Sequence, residues 1–243
     1  MHDYSILKWD SDFFGFPVAR IENPYLRGLE LNNILSVLKK RKIKLVYWPA
    51  YSNNLISQDT IVRNGGIFVD KKITFYANID SIKQPEERLV GFQIESHDPS
   101  IPFENLKSLA KQCGQYSRFA VDPKIPKKKF TELYEMWIHN SVTRQMADEV
   151  FVIRNGAEVI ALISLKGDKN SMSGKICLLV VDQDFRRKNI GKHMVHTGLQ
   201  WCKNKAFRQI KVNTQCMNAT ACNLYLRCGL NAEKSVNFYH FWI

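Results

Sequence analysis

The chain of 243 residues reads as an α/β (α+β) protein with a mixed, mostly antiparallel sheet flanked by helices. Three observations predict this class. Short apolar runs at Val150–Arg154 and Glu158–Lys166 meet around an Asn155-Gly156 turn, the sign of a hairpin. A third run, Ile176–Val181, passes through a basic turn into Ile190–Cys202, where apolar residues recur at helical spacing. The chain then ends as strand, helix, glycine, strand. Hairpins interleaved with helices make a mixed sheet covered by helices.

The elements follow from local pattern. Leu29–Lys42 is amphipathic at helical period, Ile43–Trp48 is a buried strand, Asn53–Asn64 is a helix stopped by Gly65-Gly66, and Ile67–Ile79 is a strand. The polar, proline-bearing stretch between Asp80 and Phe92 reads as a boundary, giving an accessory α/β domain at 1–90 and a second domain at 91–243. Phe103–Gly114 and Pro126–Val142 are helices. In the latter, Phe130, Leu133, Tyr134, Trp137 and Ile138 repeat at three and four and make one apolar face. Ser117 and Arg118 precede it in a loop with Asp122. Strands at Val150–Arg154, Glu158–Lys166 and Lys175–Val181 lead to the helix at Ile190–Cys202, a strand at Gln209–Thr214, a helix ending at Gly229, and a last strand at Ser235–Trp242. The two ends echo each other. Placing Asn54 on Asn218 puts Ile61 on Tyr225, Arg63 on Arg227 and Gly65 on Gly229.

Composition narrows the function classes. At 45% hydrophobic content the chain can bury one or two cores. It lacks a run long enough to span a membrane, and its start, Met1-His2-Asp3-Tyr4, has no basic-then-apolar signal pattern, so a cytoplasmic protein without membrane partners is expected. The six cysteines (113, 177, 202, 216, 222, 228) form no C-x-x-C pair and read as reduced thiols, with no metal site expected. The net charge of +12 raises nucleic acid as a partner, but the cations are spread along the chain without a recognition motif, so none is expected.

Two segments carry chemistry. In Phe185–Lys192 (FRRKNIGK) a basic turn opens a helix, so unpaired N–H groups, the positive dipole end and Arg186, Arg187, Lys188 and Lys192 converge on a place suited to a pyrophosphate. A solvated basic turn is the competing reading. In Asn218–Gly229 (NATACNLYLRCG) the spacings of three, four and four put Ala221 and Tyr225 on one helix face and Gly229 at the C-cap. Such a Tyr, taken alone, belongs to a core.

Together these segments resemble the GNAT superfamily of acyl-CoA-dependent N-acyltransferases, over roughly residues 95–243. The resemblance implies a GNAT fold whose sheet splits where CoA enters, and the echo between the two ends then makes the N-terminal part a degenerate GNAT-like half. It also implies acetyl-CoA as co-substrate, held by Arg186, Arg187, Lys188, Asn189, Ile190, Gly191, Lys192 and Asn218, with backbone N–H groups at Val180 and Val181 as oxyanion donors. Tyr225 is the implied acid for the departing thiolate. The chain departs from the usual turn, with Arg187 and Asn189 where glycines commonly stand; Asn tolerates the left-handed backbone better than most residues. His97, His139 and His240 are candidate bases by type, and none is nominated, since many superfamily members deprotonate the amine through water. Dimerisation through terminal strands is common there, which leaves a homodimer open.

Four further marks, LKWDSDFFGFPVARI (7–21), YSRFAVDPKIP (116–126), FTELYEMWIHNSV (130–142) and the terminal HFW (240–242), resemble the family of acyltransferases acting on nucleotide-linked amino sugars. This resemblance implies transfer of an acetyl group to the amine of a dTDP- or UDP-linked deoxyamino sugar in surface-glycan (O-antigen) biosynthesis. Both co-substrates are polyanions, which fits the basic chain. Arg118 suits a phosphate or carboxylate, with an ion pair to Asp122 as the alternative. His240 and Trp242 share one side of the last strand and are substrate-binding candidates, or simply packed. A GNAT enzyme for another amine, an antibiotic or a protein, and a silent acyl-CoA-binding protein are the other readings.

Overall fold

The structure, a computed structural model, describes residues 3–52, 56–82, 89–98, 100–101 and 103–243. Its elements in chain order are β1 (Tyr4–Ile6), α1 (Lys8–Phe14), β2 (Val18–Ile21), α2 (Gly28–Lys40), β3 (Leu45–Tyr51), α3 (Gln58–Arg63) and β4 (Gly66–Asn78). There follow β5 (Ile94–Ser96), α4 (Glu104–Gly114), α5 (Arg118–Val121), α6 (Lys127–Val142), β6 (Glu149–Asn155), β7 (Glu158–Asp168) and β8 (Ser173–Val181). The chain closes with α7 (Ile190–Asn204), β9 (Gln209–Gln215), α8 (Ala219–Arg227) and β10 (Asn231–Trp242).

One sheet runs in the order β1-β2-β3-β10-β4-β9-β8-β7-β6-β5. Neighbours are antiparallel except β2 with β3 and β8 with β9. Strand alternation divides the core between the two faces. Val150 and Val152 of β6 pack with α4 and α6, and Ile153, with Ile163 of β7, packs under α7. On β3, Val46 and Trp48 meet α2, whereas Leu45 and Tyr47 meet α1, α5 and α6. Helices α2, α3, α7 and α8 therefore cover one face, and α1, α4, α5 and α6 the other.

From β1 to β7 the order is palindromic about the β10–β4 pair, with β6 and β5 added beyond β7. The run β1, β2, α2, β3, α3, β4 matches β7, β8, α7, β9, α8, β10; each run has one parallel pair, and each inserts its last strand beside the other's. Gly65 (φ 75°) and Gly229 (φ 84°) end the matching helices α3 and α8 in the left-handed conformation that favours glycine. The terminal strand β10 is bonded on both sides, by β3 and β4, which leaves it no free edge for pairing with a second chain.

Local reading missed β1, α1, β2, β5 and α5, elements of three to seven residues too short to show a period. The helix expected from Asn53 begins at Gln58, where Ser57 accepts the N–H of Thr60; residues 53–55 lie outside the described part. The expected boundary runs through residues 83–88, which also lie outside it. Among the described residues no helix is long and apolar enough to cross a membrane.

Candidate active site

Strands β8 and β9 pair only where Ser173–Ile176 face Gln209–Val212. Beyond Ile176 they diverge, and β8 is bonded to β7 alone. The register shift at Ser164 and Leu165 leaves Cys177 unopposed at the mouth of this gap. The amide of Leu178 donates to Ser164 Oγ (3.1 Å) and that of Asp182 to the Ile160 carbonyl (2.8 Å), both toward β7. Alternation then turns Val180 toward β7 as well, and turns Leu179 and Val181 into the gap. Arg186 Nε confirms the sense by donating to the Val181 carbonyl at 3.0 Å. Of the two expected oxyanion donors, Val181 points into the gap and Val180 does not; Leu179 takes its place, because residues of one strand edge are two apart.

The basic turn is held from α4. Gln112 Nε2 donates to Asp182 (2.8 Å), while its Oε1 accepts the Gln183 amide (2.9 Å) and Arg186 Nη2 (3.1 Å). Arg186 thus turns its Nε and Nη2 onto the protein and braces the turn. Lys188 lies over the rings of Phe185 and Phe92. Arg187 (φ 63°) and Asn189 (φ 59°) both take the left-handed conformation at the two positions where the sequence lacks glycine. That curvature aims the first N–H groups of α7, which have no intrahelical partner, at one point. Ile190 is buried in the core beneath the turn. Gly191 lets α8 approach, since a Cβ there would stand 3.1 Å from Leu224. The donor set fits a pyrophosphate. Left-handed backbone costs a non-glycine residue about 1–2 kcal/mol, so Asn189→Gly is expected to keep CoA affinity. Asn189→Val, which resists that conformation, is expected to lower it about tenfold, as read by calorimetric titration with CoA.

Asn218 caps α8, its Oδ1 accepting the Ala221 amide at 3.1 Å. Its side chain thereby fixes the helix that carries Tyr225. Tyr225 is buried, its ring 5.6 Å from that of Phe75. Burial pushes its phenol above the ordinary value of 10, so the proton stays on. Both residues line a cavity of about 570 Å³ that also touches Leu179 and Cys113. The Cys113 thiol lies near the Leu179 carbonyl, 4.0 Å away, and burial pushes it up to about 12, so it stands there as a neutral wall. Nothing in its local sequence marked it.

The charged lining of the cavity comprises Arg20, Lys72, Arg118 and Lys175 against Asp10 and Asp70. Arg118 opens α5, and its guanidinium lies over Tyr47 (4.1 Å), Phe119 (4.6 Å) and Phe238 (5.0 Å). No carboxylate of the described residues pairs with it. The alternative partner, Asp122, is engaged elsewhere. Its Oδ2 accepts His240 Nδ1 (2.6 Å) and Trp242 Nε1 (2.9 Å), and its Oδ1 accepts the Lys124 amide (2.9 Å). This corrects two expectations. His240 and Trp242 do share one side of β10, but that side is covered by the α5 loop, and neither lines the cavity. His97 and His139 do not line it either.

The model of the family described as Acetyltransferase (GNAT) family matches residues 103–230, more than half of the chain. The chain is 27% identical over 139 residues to the spore coat polysaccharide biosynthesis protein SpsD of Bacillus subtilis, a match covering 57% of this chain and 47% of that protein. It is 20% identical over 238 residues to the dTDP-fucosamine acetyltransferase of Escherichia coli, covering 98% of this chain and 95% of that one. In fold it resembles a GCN5-related N-acetyltransferase from Sphaerobacter thermophilus, with a TM-score of 0.66 at 11% identity over 98% of this chain and 76% of that one.

Proposed function

The chain belongs to the acetyltransferase (GNAT) family and is an acetyl-CoA-dependent N-acetyltransferase; from that premise we propose that its acceptor is the amine of a dTDP- or UDP-linked amino-deoxy sugar, acetylated in the cytoplasm for surface-glycan synthesis. The observation that carries this reading is Arg118. A cation half-buried among aromatic rings, without a carboxylate partner and facing a cavity, is set to receive an anion from outside the protein. With Arg20, Lys72 and Lys175 lining the same cavity, cations outnumber carboxylates two to one, which suits a diphosphate. The names of the two relatives, one of polysaccharide biosynthesis and one of fucosamine acetylation, point the same way.

Acetyl-CoA supplies an activated thioester. The turn Arg187–Lys192 and the start of α7 hold its pyrophosphate, and the amides of Leu179 and Val181 face the thioester oxygen as negative charge grows there. Tyr225 gives its phenolic proton to the sulfur as the C–S bond breaks. Residues 1–90 serve as an accessory domain beside a catalytic domain at 91–243, a degenerate half of the same architecture with Ile61 where the acid would stand. The palindromic strand order supports this organisation.

The test is thiol release from acetyl-CoA against a panel of dTDP- and UDP-linked 3- and 4-amino sugars, with Arg118→Gln alongside. The expected result is turnover of one sugar nucleotide, with KM for that acceptor raised at least about tenfold in the variant, a loss of about 1.4 kcal/mol, and KM for acetyl-CoA unchanged. Tight CoA binding without turnover of any sugar nucleotide would move the acceptor to a different amine.

A further inference from the structure

Two carboxylates line the cavity, Asp10 and Asp70, and the reading above leaves the more deeply buried of them, Asp70, without a role. Asp70 lies on β4 directly after the register shift at which Val69 has no partner on β10. That bulge sets the parity of the strand. From there Asp70 and Lys72 point into the cavity, and Phe75 and Ala77 point into the core under α7 and α8. The side chain of Asp70 is only 7% exposed. Its carboxylate takes a backbone hydrogen bond from Lys71, makes no ion pair within 4.0 Å among the described residues, and lines the cavity. A carboxylate this deep with no counter-charge within 4.0 Å is costly, and it calls for a ligand that completes it.

Resting on the reading that this cavity receives an amine, we propose that Asp70 is the base that takes a proton from the acceptor's ammonium group, directly or through one water. The ammonium gives one proton to the Asp70 carboxylate, and the freed lone pair forms the C–N bond to the thioester carbonyl carbon. As the C–S bond breaks, the sulfur receives the Tyr225 proton. The nitrogen, now acylated, releases a second proton that restores Tyr225 by way of solvent, and it keeps the third as the amide N–H. Asp70 then gives its proton to water. The products are amide, free thiol and one proton. Base and acid come from opposite ends of the chain, so the N-terminal half contributes to the chemistry and is more than a wall.

The surroundings suit that role. Burial raises the Asp70 carboxyl to about 7, against the opposing pull of Arg118 from α5 and of Lys72 on the same strand. Tyr134 of α6 and Cys216 beyond β9 also face it, and both stay protonated because burial raises them. Lys72, itself lowered by burial and by Arg118 and Lys175, limits how far the carboxyl can rise. A base that titrates near neutrality is ionised above pH 7 and can still release its proton to water.

Two measurements decide the matter. The first is kcat/KM against pH for the sugar nucleotide best turned over in the panel, comparing the wild type with Asp70→Asn and Asp70→Glu. The expected result is a wild-type rise with a midpoint near 7, and at pH 7 a loss of about a hundredfold in Asp70→Asn. That loss should shrink toward pH 9.5, where the amine needs no base. Asp70→Glu should recover part of the activity, and CoA affinity should stay unchanged in both variants. The second is a carboxyl ¹³C titration of the protein alone, with Asp70→Asn giving the assignment. An unchanged pH profile in Asp70→Asn, or a carboxyl midpoint below 5, overturns the proposal. The titration needs no acceptor, so failure of every sugar nucleotide would overturn the substrate reading and leave Asp70 to be judged by its midpoint.

Discussion

Replacing Tyr225 by Phe is expected to lower kcat by about 10²–10³-fold, toward the lower part of the range for loss of a general acid, with CoA affinity unchanged within about twofold. The magnitude follows from the leaving group. A thiol has a pKa of about 8.5, so a thiolate can depart unaided better than an alkoxide could, and the acid is worth less than it would be for an ester. The variant is a clean test because the hydroxyl is the only atom removed. The ring stays against Phe75 and within the core formed by β4, α7 and α8, and the hydroxyl has no hydrogen-bond partner among the described residues, so Tm should move little. The pH dependence has a defined sign. An acid is lost above its pKa, and burial raises this phenol above 10, so kcat should show no falling limb below about pH 10. A fall centred between pH 8 and 9 would assign the acid to another group. Equal thiol release by wild type and variant at saturating acceptor would remove Tyr225 from the chemistry.

The second large effect falls on stability. Asp122→Ala should destabilise the protein by about 3–5 kcal/mol, because it leaves the partners of a buried polar network without their acceptor. At about 2–4 °C per kcal/mol for a chain of this size, Tm should fall on the order of 10 °C. His240 is fully buried and would lose the carboxylate that takes its Nδ1–H. Trp242 would lose the 2.9 Å hydrogen bond from its Nε1. The same carboxylate joins the loop after α5 to the last strand, so Arg118 at the start of α5 should also shift, and acceptor KM should rise with the loss of stability. Burial alone would raise the Asp122 carboxyl, but the bonds from His240, Lys124 and Trp242 outweigh it and hold it below 3.8. Its contribution is therefore present above pH 3.8 and lost as pH falls through the lower folded value. His240 acts in another window. Burial depresses it, with Arg118 adding to the effect against the pull of Asp122. The unfolded chain binds a proton there first, so stability should begin to decline below about pH 6.5. Denaturant titrations of wild type and Asp122→Ala across pH 3–8 check both windows; parallel curves would show that the network carries no linkage.

The comparison of these two residues shows what a sequence can and cannot hold. Tyr225 was legible because its setting is local: a cap at Asn218, a helical spacing of four, and a glycine at 229 able to take a positive φ. The basic turn was legible for the same reason, and the left-handed Arg187 and Asn189 occupy the positions where glycine was missed. The alternation that put His240 and Trp242 on one side of β10 was also correct. What it could not supply was the identity of the layer over that side, which belongs to a loop 118 residues away in the chain.

By itself, then, the sequence determined the longer elements of the second half, the mixed sheet, the place of the basic turn at the start of a helix and the helix that carries Tyr225, all of which depend on spacings within a single turn or strand. The tertiary structure alone decided which groups meet. It placed β10 between β3 and β4, spread β8 from β9, turned Leu179 and Val181 rather than Val180 into the gap, and faced Asp70 into the cavity beside Arg118. The physical reason is that a strand has two equivalent faces and two edges, and local pattern shows only that they alternate. Register with neighbours distant in the chain, here set by single unpaired residues at Val69 and Cys177, selects which of them points at the site.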